Sequence, residues 1–418
     1  MKKMYQSYRN IGKVILLLIF AEFFLQMLNA AFTLSLNLYM AKNGYTDPQI
    51  ASYTADRFMA VMLFALPFGL FIKNRALRPI FISCALLLPV VSLLLVEAVS
   101  AHQVGLLRAM LIIWGVAFTG ISIPTLPYIL RNCLPDKHTQ AIALHAATWS
   151  LGLIVVGCAI FLLSHAWPSV FGEKLLLQIF SLFGFVAAYC LWNLPKNEKT
   201  GGSGATAPFL KKGFNLQQYD WHLILKAVVP TTLIAVGAGL TIPFMNLFFY
   251  NAFGMNTGSF SLMGAATALL VAITTLLVPS IKNRVGYKAI PLTQMAAIAS
   301  LIVLGATDFM SHYGPFFYVA VAAFMVRQPL MSLANPMSSE LTMYYVGKNN
   351  QELVSAVISS IWSGSWFISS QVFGLLRGFD LRYGTIFFIT AGFYLVGVSA
   401  YIFLIKDFRR RETAGLVG

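Results

Sequence analysis

Apolar residues gather into long runs along this chain, separated by short polar breaks, from one end to the other. Twelve runs can be delimited, near residues 14–40, 49–72, 79–99, 104–130, 142–164, 175–192, 225–250, 259–281, 289–310, 315–338, 353–376 and 384–405. A helix that crosses a bilayer needs roughly 20 mostly apolar residues, and the runs are of about that length. The pattern predicts an all-α membrane protein with twelve transmembrane helices. One break stands apart. Asn193 to His222 carries "KNEKTGGSGATAPFLKKG", a Gly-, Ser- and Lys-rich linker. It divides the helices six and six: an N-terminal bundle over 1–192, a linker over 193–222 and a C-terminal bundle over 223–418.

Composition agrees with the pattern. Hydrophobic residues are 58% of the chain and charged residues 10%, far from the balance of soluble domains. The first run follows Lys2, Lys3, Arg9 and Lys13, as a signal peptide would, but Val14–Met40 is about twice as long as a signal core. It is read as a retained first helix. The four cysteines, Cys84, Cys133, Cys158 and Cys190, lie in or beside apolar runs without metal-ligand spacing, so they are expected to pack as small hydrophobes.

The charge of +15 is explained by topology. Of the 29 Lys and Arg, 22 fall at the N-terminus, in alternate loops and in the tail, on one side of the predicted helices; four (Lys42, Lys174, Arg377, Arg382) fall on the other. The positive-inside rule puts both termini and the linker in the cytoplasm. The cations then face an anionic inner leaflet, and no basic stretch is interleaved with aromatics as a nucleic-acid groove requires.

The two halves echo each other. Ile-Lys-Asn-Arg follows an apolar run at Ile72 and again at Ile281, 209 residues on, between the second and third helices of each half. "ALHAATWS" (Ala143–Ser150) and "AVISSIWS" (Ala356–Ser363) share Ala, Trp and Ser in register at an offset of 213, in the fifth helix of each half. Matched landmarks at nearly one offset indicate internal duplication. Parallel six-helix repeats are a transporter plan.

On these residues the chain resembles the major facilitator superfamily, over essentially its whole length. That family carries a cytoplasmic signature, roughly G-x-L-A-D-R-x-G-R-K, between helices 2 and 3, with a weaker copy between helices 8 and 9. Here "PSIKNRVGYK" keeps Arg284, Gly286 and Lys288, with Asn283 in place of Asp; "LFIKNRALRP" keeps Arg75 and Arg78, with Asn74 in place of Asp. The resemblance implies two pseudo-symmetric six-helix bundles and cytoplasmic latch turns at these residues. With Asn in both copies, hydrogen bonding replaces the charged latch. Drug–proton exporters of the family carry Gly-Pro in helix 5. This chain has Gly152 and Gly157 there and no proline, so that subfamily gains no support.

Polar residues at membrane depth are costly and mark function. Glu22, Gln26, Asn29, Thr33 and Asn37 step by four, three, four and four along the first helix and share one face. That face suits a wet cavity, or else a polar seam between helices. A carboxyl that gains and loses a proton at depth is what proton coupling requires, so Glu22 is the coupling candidate; the alternative is a structural pair with an arginine. Asp56, Arg57 and Arg108 form an expected outer charge cluster, structural or gating in role. Arg327, beside Gln328 in the tenth helix, either binds an anionic group on substrate or pairs with Glu22. Ser355, Ser359, Trp362, Trp366 and Ser370 stripe the eleventh helix, His145 and Trp149 lie one turn apart in the fifth, and Asn246 lies in the seventh. His145 is read as a packing residue or a proton relay. Aromatics with scattered hydroxyls suit an organic solute better than a bare ion. Pro124, Pro127, Pro243 and Pro336, with Gly237 and Gly239, supply joints.

No nucleotide-binding loop, zincin motif or hydrolase triad is present in the sequence, so no enzyme activity and no cofactor or metal is expected. The reading is a proton-coupled secondary transporter that moves a small organic solute, anionic or amphipathic, by alternating access. It is expected as a monomer in a cell inner (plasma) membrane. The alternatives are a lipid or lysolipid translocase of the same architecture, or a multidrug exporter; a sensor would need an output domain that the chain lacks.

Overall fold

The structure is a computed structural model that describes residues 12–72, 75–134, 137–196, 220–347 and 350–414. The described elements are helical: α1 Lys13–Lys42, α2 Asp47–Phe71, α3 Arg78–Ser100, α4 Val104–Asn132, α5 His138–Ala166, α6 Glu173–Trp192, α7 Trp221–Phe253, α8 Thr257–Val285, α9 Ala289–Asp308, α10 Pro315–Val346, α11 Gln351–Gly378 and α12 Tyr383–Thr413. α7 is interrupted by one 3-10 turn at Ile242–Phe244, where Pro243 withdraws a backbone donor. Pro124, Pro127, Pro329 and Pro336 are instead carried inside continuous helices. Among the described residues nine segments are long and apolar enough to cross a membrane, and one of these, Thr257–Asp308, contains both α8 and α9. α2 and α11 are helices of 25 and 28 residues.

Helix ends follow local chemistry. α1 gives way at Asn43 and at Gly44, with φ 85°. α7 ends at Gly254, in the left-handed region at φ 64°, where its N–H closes onto Tyr250 O. These two positive-φ glycines are 210 residues apart. The two Ile-Lys-Asn-Arg segments differ in form. At the first, α2 ends at Phe71 and Ile72 is a turn residue, whereas α8 runs on through Val285 and meets α9 by one 3-10 turn at Gly286, with φ 65°. The expected second turn is therefore mostly helix, and the direction change falls on its glycine.

The chain forms two compact units. One comprises Met1–Thr46, Asp56–Thr206 and Asn256–Ala265; the other comprises Asp47–Ala55, Ala207–Met255 and Ala266–Gly418. The opening turns of α2 thus belong with the second unit and those of α8 with the first. Most of the linker expected over 193–222 lies outside the described residues. The two exchanged segments begin 209 residues apart, at Asp47 and Asn256.

Packing repeats between the units. In the first, α1 packs on α5 and α6, and α3 on α4 and α6; in the second, α7 packs on α11 and α12, and α9 on α10 and α12. Raising each helix number of the first set by six gives the second. Small residues set the crossings. A Cβ on Gly152 of α5 would sit 3.1 Å from the Gln26 carbonyl of α1, and one on Gly239 of α7 would sit 3.1 Å from the Trp366 Cα of α11. In each unit a glycine holds the first and fifth helices close.

Candidate functional site

The α1–α5 crossing brings two candidate residues into contact. Oε2 of Glu22 lies 2.7 Å from Nδ1 of His145. Glu22 is 5% exposed, while the His145 side chain is 27% exposed. A carboxylate only accepts, so the ring must offer Nδ1–H, either as that neutral tautomer or as imidazolium. The same contact survives if the carboxyl carries the proton and the ring accepts. The pair can therefore hold one extra proton without losing its hydrogen bond, with His145 as the more exposed of the two. The sequence reading left His145 between packing and relay and considered an arginine partner for Glu22. The partner is His145.

The rest of the α1 face is uneven. Asn29 and Asn37 are buried, Gln26 is half-buried and Thr33 is exposed. Asn29 Nδ2 donates to Gln26 Oε1 (3.2 Å), and Thr33 Oγ1 donates back to the Asn29 carbonyl (2.8 Å).

The expected outer cluster divides. Asp56 faces Arg108 at 3.8 Å, but Arg57 turns away from both. Its Nη2 donates to Asn29 Oδ1 at 2.9 Å, and its guanidinium lies 3.9 Å from the Trp114 ring centroid. Consecutive residues on a helix point about 100° apart, which explains why Arg57 cannot join its neighbour's pair. Trp114 is fixed by Nε1–H donation to Ser92 Oγ (3.1 Å) and by stacking with Phe32 and Phe118. Arg57 thus belongs with the α1 polar face, a cation held by an amide and a ring.

Arg327 is 1% exposed. Its Nη2 donates to Tyr394 OH at 3.0 Å and approaches Thr241 Oγ1 at 3.5 Å, and its Nη1 reaches Gln328 Oε1 at 3.4 Å. Its Nε has no hydrogen-bond partner. Every one of these partners is neutral, so the charge is solvated by hydroxyls and an amide. Gly237 makes the arrangement possible. A Cβ there would lie 2.7 Å from the Tyr394 ring, so only glycine lets Tyr394 of α12 lie against α7 with its hydroxyl turned to Arg327. Sequence reasoning missed Tyr394 and Thr241. Nothing in the local pattern singles them out.

The remaining candidates are scattered. Trp149 and Ser359 are exposed, Trp362 and Trp366 half-buried, and Ser370 buried. Asn246 is buried, its Oδ1 accepting from the Leu247 N–H (2.9 Å). At the latch segments, Asn74 lies outside the described residues. Arg75 stacks on Phe71 at 4.1 Å, Arg78 donates to the Trp192 carbonyl and Arg131 to the Arg75 carbonyl. Asn283, Arg284 and Lys288 are exposed. The charged contact at the second copy is made by Lys282, which lies 2.5 Å from Glu340 of α10. The sequence reading, which followed the Asp-to-Asn change, did not include it.

Two further clusters were not read from sequence. In the first unit Lys42 pairs with Glu173 at 2.5 Å, and Thr257 Oγ1 donates to the same carboxylate at 2.6 Å. In the second unit Asp47 accepts from Arg377 (2.8–2.9 Å), from Tyr383 OH and from Asn251 Nδ2 (3.2 Å). Lys42 and Asn251 are 209 residues apart, and Glu173 and Tyr383 are 210 apart. The duplicated positions are kept while their charges change: each cluster has one carboxylate, at α6 in one unit and at α2 in the other. The same offset as the Ile-Lys-Asn-Arg echo was the available signal.

The model of the Major Facilitator Superfamily matches residues 18–370. Solved structures share the fold at low identity. The xylose transporter XylE from E. coli is 13% identical with a TM-score of 0.72, covering 94% of this chain and 95% of its own. The nucleoside transporter NupG is 16% identical with a TM-score of 0.71, covering 94% and 100%. A bacterial homolog of the human lysosomal transporter Spinster is 14% identical with a TM-score of 0.71, covering 94% and 96%. No curated protein matches the chain in sequence. With a family match across most of its length, the repeated six-helix packing and buried charges on apolar helices, this chain belongs to the Major Facilitator Superfamily and is a multi-pass membrane transporter.

Proposed function

We propose that this transporter is proton-coupled and carries a small organic solute with an anionic group. The observation that carries the proposal is the Glu22–His145 contact, where an extra proton can be held by a buried carboxyl and a partly exposed imidazole. Uptake of the proton through His145 and its release on the other side couple solute movement to the proton gradient. Arg327 and Arg57 support the anionic assignment, because the groups that hold each guanidinium are neutral. One fold neighbour is named a D-xylose-proton symporter, so the fold accommodates such coupling. The basic-residue asymmetry supports cytoplasmic termini in an inner (plasma) membrane.

The test is labelled uptake into proteoliposomes under an imposed pH gradient, across a panel of carboxylates, phosphates and their neutral analogues. The proposal expects gradient-driven accumulation of an anionic member and none by Glu22→Gln. Accumulation that ignores the gradient would contradict it.

A further inference from the structure

Within the second unit, α7, α9, α10, α11 and α12 line a partly open cavity of about 200 Å3. Its polar lining includes Thr231, Gln294, Asn335, Thr342 and Tyr401, and Trp362 contributes a ring. Thr231 Oγ1 and Tyr401 OH are hydrogen-bonded to each other at 3.0 Å. Among the described residues no Asp, Glu, Lys, Arg or His lines it, and Arg327 lies outside it.

Among the described residues the lining includes buried polar atoms that no protein group satisfies, among them Oε1 of Gln294 and Oγ1 of Thr342. These residues are 3% and 1% exposed. Buried polar atoms are almost always partnered, and the exceptions call for an occupant. Chemistry narrows which. Gln294 Oε1 can only accept, so the occupant donates; Thr342 Oγ1 takes either role. An ion would find no opposite charge, and an apolar occupant would leave both atoms unmade.

We infer that this cavity is a binding site for a small uncharged solute carrying several hydroxyl groups, separate from the arginine-centred site. Asn335 and Thr342 flank Pro336, where α10 lacks a backbone hydrogen bond. A polyol spanning Gln294 of α9 and Thr342 of α10 ties the two helices together beside that weak point. The occupant therefore stiffens the helix that carries Arg327.

The test uses xylitol as probe, with the full-length protein purified into lipid nanodiscs, and binding read by equilibrium dialysis and by saturation-transfer NMR. Saturable binding near one per chain is expected. Gln294→Met and Thr342→Val, which replace unsatisfied polar atoms by apolar ones of similar size, are expected to weaken it at least tenfold while thermal unfolding stays close to wild type. Thr342→Ser, which keeps the hydroxyl, is expected to bind as wild type does. Absence of saturable binding overturns the inference, since water alone then fills the cavity. Xylitol binding that is lost in Arg327→Gln but kept in Gln294→Met also overturns it, because the probe would then report on the transport site.

Discussion

Glu22 Oε2 and His145 Nδ1 stand 2.7 Å apart across the crossing of α1 and α5, the carboxyl buried and the imidazole partly exposed. A proton that arrives at the ring and passes through Nδ1 to the carboxyl changes the charge of the pair but not its hydrogen bond. Glu22→Gln removes the carboxyl and keeps a side chain of the same shape. Accumulation driven by a pH gradient is expected to fall to background, with solute exchange at equal pH largely retained. Normal gradient-driven accumulation in that variant, at normal abundance, would remove Glu22 from the mechanism.

The distance between those groups is set seven residues from His145, at Gly152. A Cβ on Gly152 would press on the Gln26 backbone at 3.1 Å, which a small local shift accommodates; a longer side chain forces the helices apart. Gly152→Ala is expected to keep transport with a changed pH profile. Gly152→Leu is expected to lose coupling much as Glu22→Gln does. Transport by Gly152→Leu with an unaltered pH profile would show that the crossing does not position the pair.

Arg327 makes a separate prediction, because Lys keeps its charge and loses its planar fork. Arg327→Lys is expected to reduce transport at least tenfold in folded protein, and Arg327→Gln more. Tyr394→Phe removes the 3.0 Å hydrogen bond to the guanidinium, at a cost of about 1.5–3 kcal/mol for a bond to a charged group. That loss is expected to appear as a lower unfolding temperature, whereas solute affinity is little changed. If Arg327→Gln transports normally, the anionic assignment is withdrawn.

Asp47 gathers Arg377, Tyr383 and Asn251. Asp47→Asn leaves Arg377 without its carboxylate and is expected to destabilise the protein by about 2 kcal/mol. Glu173→Gln, which removes the carboxylate of the corresponding cluster in the first unit and frees Lys42 and Thr257, is expected to act similarly. Thermal unfolding in nanodiscs separates the two, and unfolding temperatures equal to wild type would show that neither cluster supports its unit.

Much of the fold was legible because one physical demand repeats along the chain: apolar runs long enough to span a bilayer, closed by polar breaks. The duplication was legible too, since Ile72 and Ile281 keep one offset that also relates Lys42 to Asn251 and Asp47 to Asn256. Helix phase predicted that Glu22, Gln26 and Asn29 share a face. It could not say which helix meets that face. The Glu22–His145 contact depends on a crossing that Gly152 permits, a property of two helices rather than one. For the same reason Arg57 was grouped with its sequence neighbour Asp56, when its partners Asn29 and Trp114 lie on α1 and α4. The unit exchange of α2 and α8 was hidden because hydropathy records length and polarity, not partners.

The most direct measurement is infrared difference spectroscopy of the transporter in lipid bilayers, recorded while external pH is stepped across the working range. It reads protonation of a buried carboxyl without requiring that the solute be known. A reversible carboxyl C=O band that appears in the wild type, shifts in His145→Ala and vanishes in Glu22→Gln is the predicted result. A carboxyl band that remains unchanged in Glu22→Gln would contradict the account.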